Sequence, residues 1–348
     1  MHRGYYTLFP NQYVVLIAES ALCSKTTAAG LGMEMVGAAG VEVLKEKLTT
    51  AYVYRHLALA CKSSKTGDAT VSIFAPELSV FLGKDAVLSG LLASLTSLYD
   101  CPSTIEYRTK TAGIDIVHNA CVNILGAGTF DWMSENLPGD AVEGGFTGRV
   151  IFVVGEQPRA RIAWPMPTIV EMELKDKLIM DLIQISQLKG QIKVTPEAVD
   201  LFSDWYVNAK EPEDARLRGF FGRKGDHILK VAMVLSISQS DNLILDAMHV
   251  DSAITIIEEV EKLMPLAFRG VAFSKSARHI DRLLQQLRQQ GGYMSRSDLL
   301  RKNSAHLNKQ EFDLVIDTLI DSERIITSTS GIGRKFKTYY SLRTEDKK

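Results

Sequence analysis

The sequence predicts an α/β fold: a mainly parallel sheet alternating with helices, then a helical subdomain, then a small C-terminal domain of three helices and a β-hairpin. Three observations carry this reading. Short apolar runs of strand length, at Tyr13–Ala18, Thr70–Ala75, Cys121–Leu125 and Arg149–Val154, alternate with helix-compatible stretches up to about residue 165. From Met172 to Phe268 apolar residues recur at three- and four-residue steps without strand signals between them. Beyond residue 275 the pattern changes to helix, Gly291-Gly292 break, two further helices and two β segments. The 348 residues therefore divide into an expected core over 1–167, a helical subdomain over 168–270 and a winged-helix domain over 271–348.

The first run, YVVLIA, is uninterrupted, as expected of a strand buried on both faces of a parallel sheet. A polar bend and a helix over Lys25–Val36 follow it. Val41–Cys61 reads as one or two further helices, Lys62–Asp68 as a turn and TVSIFA as the second strand. Asp85–Tyr99 is amphipathic and helical, the third strand lies within Ile114–Gly126, and RVIFVV is the fourth. Trp164-Pro-Met-Pro167 closes the core, because neither proline can extend a helix or a central strand. Ile228, Val231, Ala232 and Leu235 mark one apolar stripe in the helical part. In the C-terminal domain Ser295 with Asp298, and Asn308 with Glu311, have the spacing of an N-cap and its N3 carboxylate. Phe312, Val315, Ile316, Leu319 and Ile320 form the buried stripe of the third helix, and Arg324–Thr329 and Arg334–Leu342 flank the hairpin loop Ser330–Gly333.

Composition narrows the function classes. With 46% hydrophobic and 23% charged residues the chain is globular rather than disordered. A net charge of -1 excludes a generally basic nucleic-acid coat, so any DNA contact must come from a local patch. Cys23, Cys61, Cys101 and Cys121 form no CxxC pair, which argues against a zinc ribbon and a disulfide framework and leads to the expectation of a reducing, cytoplasmic setting. No run reaches the roughly 18 apolar residues of a membrane span, and no signal-peptide segment is evident. The first motif falls so early that the chain is expected to be a domain of a longer protein.

That motif is Glu19-Ser-Ala-Leu-Cys-Ser24-Lys25-Thr26-Thr27, set between the first strand and its helix. Against the phosphate-loop pattern GxxxxGK[ST], Lys25 and Thr26 match, while Glu19 and Ser24 replace the glycines. Such a loop cradles phosphates on backbone N–H groups at a helix N-terminus, with the lysine on the β and γ oxygens and the hydroxyl on magnesium. The expected ligands are thus ATP and Mg2+, held by Ser20, Ser24, Lys25, Thr26 and Thr27. The alternative is an ordinary helix start. The second strand ends in Ala75-Pro76-Glu77, where Glu77 has the position of a base that activates water and of a metal ligand, or is a surface acid at a strand end. After the third strand, Thr129 is placed to sense the γ-phosphate, with Asn123 second, and Thr129 also fits as the cap of the helix that follows. Gly144–Arg149 reads as a flexible loop presenting Arg149 to a neighbouring subunit, with Arg159 and Arg161 as competitors. Arg223, His227 and Lys230 share one helix face, which reads either as a second sensor or as a solvated basic face.

The ordered set Ser20–Thr27, APELSVFL at Ala75–Leu82, NILGAGTFDWM at Asn123–Met133, GGFTGRVIFV at Gly144–Val153 and HILKVAMVL at His227–Leu235 resembles a P-loop family of phage, plasmid and genomic-island proteins found fused to or beside primase domains. The resemblance implies a RecA or AAA+ type core, a homo-hexamer and an ATP-dependent helicase-like motor on single-stranded or forked DNA, with a primase as a possible partner. Departures at Glu19, Ser24 and Pro76 bear on turnover rather than fold, and the alternative is a non-hydrolysing initiator, loader or regulator. In the C-terminal domain fifteen Lys and Arg face nine Asp and Glu over residues 275–348. The third helix carries Asp313, Asp317 and Asp321, which repel phosphates. The wing is the better DNA surface, since Arg334, Lys335 and Lys337 alternate with Phe336, Tyr339 and Tyr340. A protein-interaction role for the domain is the alternative.

Overall fold

The computed structural model describes residues 1–21, 23–45, 47–64, 67–82, 90–109, 113–136, 145–155, 164, 166–269, 275–304, 307–332 and 335–343. They form two compact units, Met1–Val271 and Ala272–Lys348, whose main apolar cores share no residue.

The first unit opens with a short antiparallel ladder, β1 (His2–Arg3) and β2 (Tyr6–Thr7). Its centre is a parallel sheet of five strands, β3 (Tyr13–Ile17), β4 (Val43–Lys45), β5 (Ala69–Ala75), β8 (Ala120–Gly128) and β9 (Val150–Val154), in the order β4-β5-β8-β3-β9. An antiparallel hairpin, β6 (Thr104–Thr109) with β7 (Gly113–His118), precedes β8. Helices α1 (Lys25–Ala38) and α2 (Thr50–Ser63) link the first strands, and α3 (Leu78–Phe81), α4 (Leu91–Leu98) and α5 (Phe130–Asn136) follow β5, its continuation and β8.

The register fixes which residues share an edge. Ile17 lies level with Gly128 on one side and Val154 on the other, and Ala75 lies level with Gly126. The loops after β3, β5 and β8 therefore emerge side at side from the carboxyl edge, the edge at which open α/β sheets hold ligands. Gly126 and Gly128 let Leu78 pack closely across them: a Cβ on either would come within 3.2 and 3.1 Å of its side chain, which would have to shift by a few tenths of an ångström.

The later helices are α6 (Ile169–Gln187), α7 (Pro196–Asn208), α8 (Arg218–Gln239) and α9 (Ala247–Ala267), with a two-residue parallel ladder of β10 (Lys193–Val194) and β11 (Ile244–Leu245). The boundary expected near 167 does not separate a compact unit. Phe202, Phe220, Ile228, Ala253, Ile257 and Phe268 belong to the same apolar core as Tyr13, Ile73 and Phe152. The exception is α6, capped by a Thr168–Glu171 capping box, which buries none of its residues and exposes Ile169, Val170, Met172, Leu174 and Met180. No described helix is long and apolar enough to cross a membrane.

The second unit comprises α10 (Lys275–Gln289), β12 (Tyr293–Ser295), α11 (Arg296–Asn303), α12 (Lys309–Asp321), β13 (Ile325–Ile332) and β14 (Lys335–Leu342). Its antiparallel sheet runs β12-β14-β13. The expected caps form, with Ser295 Oγ accepting from Asp298 N and a full capping box between Asn308 and Glu311. Phe312, Val315, Ile316 and Leu319 fill the core.

Candidate functional site

The loop from Ala18 to Ser24 joins β3 to α1 with backbone that L-residues seldom adopt. Ala21 sits at φ 60° and Ser24 at φ 46°, both left-handed. Such positions cost a non-glycine residue about 1 kcal/mol, and left-handed residues are among the elements from which anion-binding concavities of N–H groups are built. Ser24, which replaces the second pattern glycine, thus keeps a backbone that glycine would hold more easily. Ser24 is also the N-cap of the 14-residue helix α1, yet its side chain makes no capping bond and the first turn carries no acid. The N–H groups and dipole at this helix start are left for another acceptor.

Lys25 folds back on the loop, donating from Nζ to the carbonyls of Ala18 at 3.1 Å and Glu19 at 3.3 Å. Its ammonium is held beside the helix start without a carboxylate partner among the described residues. Thr26 Oγ1 donates to Pro76 O at 3.5 Å, which ties the loop to the end of β5. Ser20, Ser24, Thr26 and Thr27 are exposed. Glu77 is exposed at the start of α3, immediately after that tie. From the register Ala18, Thr129 and Glu77 end adjacent strands, roughly 5 Å apart per step. Thr129 accepts from Trp132 N at 3.3 Å, so it caps α5 at this edge. Thus Lys25, Thr26, Glu77 and Thr129 gather at one edge of the sheet.

Three other expected site residues lie elsewhere. Asn123 is mid-strand, and its Oδ1 accepts from Gln12 N at 3.1 Å at the amino edge of β3. Five residues of strand, about 17 Å, separate it from the loop, because the register places it before Tyr13 rather than after Ile17. Arg149 is not presented on a mobile loop: it is 9% exposed, pairs with Asp100 at 2.8 Å and donates to Gly145 O at 3.0 Å. It stands before β9, at the amino edge, and serves its own chain's core. Arg223 also pairs with Asp100, at 3.2 Å. Arg159 and Arg161 lie outside the described residues.

On the face carrying Arg223, His227 and Lys230, the last two are buried and Arg223 is half-buried, and together they build a polar network that the sequence does not reveal. His227 Nε2 donates to Gly148 O at 2.9 Å, so Nδ1 is the acceptor facing Tyr99 Oη at 3.3 Å. Burial drives this imidazole down to about 4, against the smaller upward pull of the Gly148 bond, and it is neutral at pH 7. Lys230, 2% exposed, donates to Asn11 O at 3.0 Å and Asn11 Oδ1 at 2.5 Å and lies 4.0 Å from the centre of the Tyr99 ring. Burial lowers it to about 8. Tyr99 is raised, chiefly by burial. The i, i+4, i+7 spacing was the available signal; nothing in it tells an inward face from an outward one.

In the second unit Lys337 is exposed and Tyr339 half-buried on β14. Tyr340 is no stacking face: it is 3% exposed, in the core, and its hydroxyl accepts from Arg296 at 3.0 Å. Arg334 and the side chains of Lys335 and Phe336 lie outside the described residues. Asp313 is taken up by an ion pair with Arg296, whereas Glu311, Asp317 and Asp321 remain exposed on α12.

No family model matches the chain. No curated protein matches it. Among solved structures, a chain from the structure of Drosophila ORC bound to DNA is similar over 97% of this chain and 80% of that chain, at 11% identity and a TM-score of 0.21. A score that low carries no weight for fold or function.

Proposed function

We propose that the first unit is a degenerate P-loop core that binds a nucleoside triphosphate without rapid turnover, and that the second is a winged helix. Together they act as a DNA-associated initiator, loader or regulator rather than as a processive motor. The observation that carries this reading is the loop itself. It keeps Lys25 and Thr26, left-handed backbone at Ala21 and Ser24, and an uncapped helix start, which suits a polyphosphate. The parts that turnover needs are weaker. Pro76 stands where a metal-organising acid is expected, and Arg149 and Arg223 are engaged by Asp100 away from the loop.

In this reading Ser20, Ser24, Thr27 and the loop amides hold phosphate oxygens and Lys25 leaves its carbonyls for them. Bound Mg2+ would neutralise phosphate charge, with the Thr26 hydroxyl as its side-chain ligand and the Glu77 carboxylate next to it. The apolar, exposed face of α6 supports self-assembly, for which a homo-hexamer is the proposal. Lys337 and Tyr339 support contact with single-stranded DNA, and a primase is a candidate partner through the acidic α12.

A second reading, the ATP-driven helicase-like motor, is favoured by Glu77 and Thr129 ending strands beside the loop. Steady-state ATP hydrolysis with and without forked DNA separates the two. The binder predicts ATP binding with no DNA-stimulated hydrolysis. A rate raised at least tenfold by forked DNA and lost in Lys25→Ala and Glu77→Gln contradicts it and supports the motor.

A further inference from the structure

The face of α8 that carries Arg223, Asp226 and Lys230 lines a cleft of about 340 Å³, open to solvent and flanked by Tyr99–Cys101 and by residues of the segment Tyr6–Asn11. It lies at the amino edge of the sheet, away from the loop at the carboxyl edge. Its two carboxylates are both engaged by arginines. Asp226 is engaged by Arg3 at 2.8 Å and by the Tyr6 hydroxyl at 2.9 Å. Asp100 is shared by Arg149 and Arg223. Lys230 has no carboxylate within ion-pair distance among the described residues, and two of its three N–H groups are spent on Asn11. The cavity itself is lined by two cations, Arg223 and Lys230, and two carboxylates, Asp100 and Asp226, but both carboxylates are also bound by arginines outside the lining, Arg149 and Arg3, so the wider network holds four cations to two carboxylates. His227, donating to a carbonyl and accepting from a phenol, adds no negative charge.

A buried ammonium without a counter-charge is costly, and neutral groups such as the Asn11 carbonyl only partly offset that cost. The hydrogen bonds to Asn11 alone do not require a full charge at this position. An anion in the cavity supplies what is missing, and the guanidinium of Arg223, with N–H groups beyond the one on Asp100, offers the planar donor geometry that oxyanions favour.

We infer that this cavity is a binding site for a small oxyanion-bearing molecule, a phosphate or a polycarboxylate, held between the Lys230 ammonium and the Arg223 guanidinium. It is separate from the nucleotide loop and does not rest on that assignment. Phe9 and Leu8 in its wall accommodate a modest apolar part of such a ligand.

The test is calorimetric titration of inorganic phosphate and of citrate into the full chain carrying Lys25→Ala, which takes the nucleotide loop out of account. One saturable site is expected, weakened at least tenfold by Arg223→Gln and by Lys230→Met. Tighter phosphate binding assigns a phosphorylated ligand, and tighter citrate binding a polycarboxylate; either supports the site. Should Lys230→Met fail to fold, Arg223→Gln decides, because that side chain is 30% exposed and its loss leaves the core intact. The inference is overturned if neither anion binds the Lys25→Ala chain, or if both bind Arg223→Gln as tightly as the parent.

Discussion

Ser24 shows how a single residue can read as a defect in sequence and as a preserved feature in structure. Its side chain departs from the phosphate-loop pattern, but its backbone, at φ 46°, holds the conformation for which glycine is otherwise chosen. Ser24→Gly is therefore expected to stabilise the chain by about 0.5–1 kcal/mol, read from urea unfolding, since it relieves a left-handed serine. A loss of stability would mean that the serine side chain contributes more than the strain. His227 permits a second test. Its folded-state value near 4 lies below the unfolded value of 6.5, so between these the unfolded chain binds the proton and the folded chain does not. Stability is whole above pH 6.5 and is lost as pH falls towards 4, by at most on the order of 3 kcal/mol. Tyr99, Lys230, Arg223, Asp226 and the Gly148 carbonyl all face or influence this ring. His227→Gln should flatten that part of the pH profile relative to the parent, and an unchanged slope would show that carboxylates alone set it. Residue type is legible here, but environment is not: Arg149 and Lys230 read as surface cations, and packing buries both.

Elements were legible in proportion to their length and regularity. β3, β5 and β9 are apolar runs that fall within one residue of their expected places, and β8 extends three residues past the expected Leu125, through Gly126 and Gly128, where no apolar side chain signals the strand. β4 falls within a stretch whose sequence reads as helix, because three residues at a sheet edge leave no period to detect. The hairpin of β6 and β7 has no counterpart in the sequence reading, although TIEYRT and GIDIVH alternate; Tyr107 stacks on Tyr54 of α2 at 4.4 Å, which buries one face of it. The capping signals at Ser295 and Asn308 succeeded because a cap is local chemistry. Contacts between elements have no such signature. Gly148 meets the backbone of α8 so closely that an added Cβ would lie 2.5 Å from Gly219 O. Gly148→Ala is expected to cost about 1–3 kcal/mol in thermal or chemical unfolding. A neutral outcome would mean that α8 can move away from the turn before β9 without penalty.

At the scale of the molecule, the sequence led to three domains and the structure has two compact units, since the helices after residue 190 complete the core around the sheet. Periodicity shows that a helix has an apolar face but not which surface receives it. The second unit tests the proposed DNA role. If Lys337 neutralises one phosphate, Lys337→Ala lowers affinity for single-stranded DNA and reduces the slope of log K against log salt by about 0.7. Unaltered affinity and slope would turn attention to the acidic face of α12 and to a protein partner.

The loop from Glu19 to Thr27 is the proposed nucleotide site on which the molecule's function turns. Calorimetric titration of ATP into the purified chain, with and without Mg2+, tests it directly. The prediction is one saturable site per chain, weakened at least tenfold by Lys25→Ala and retained in Arg223→Gln. Absence of binding by the parent chain, or equal binding by Lys25→Ala, would contradict it.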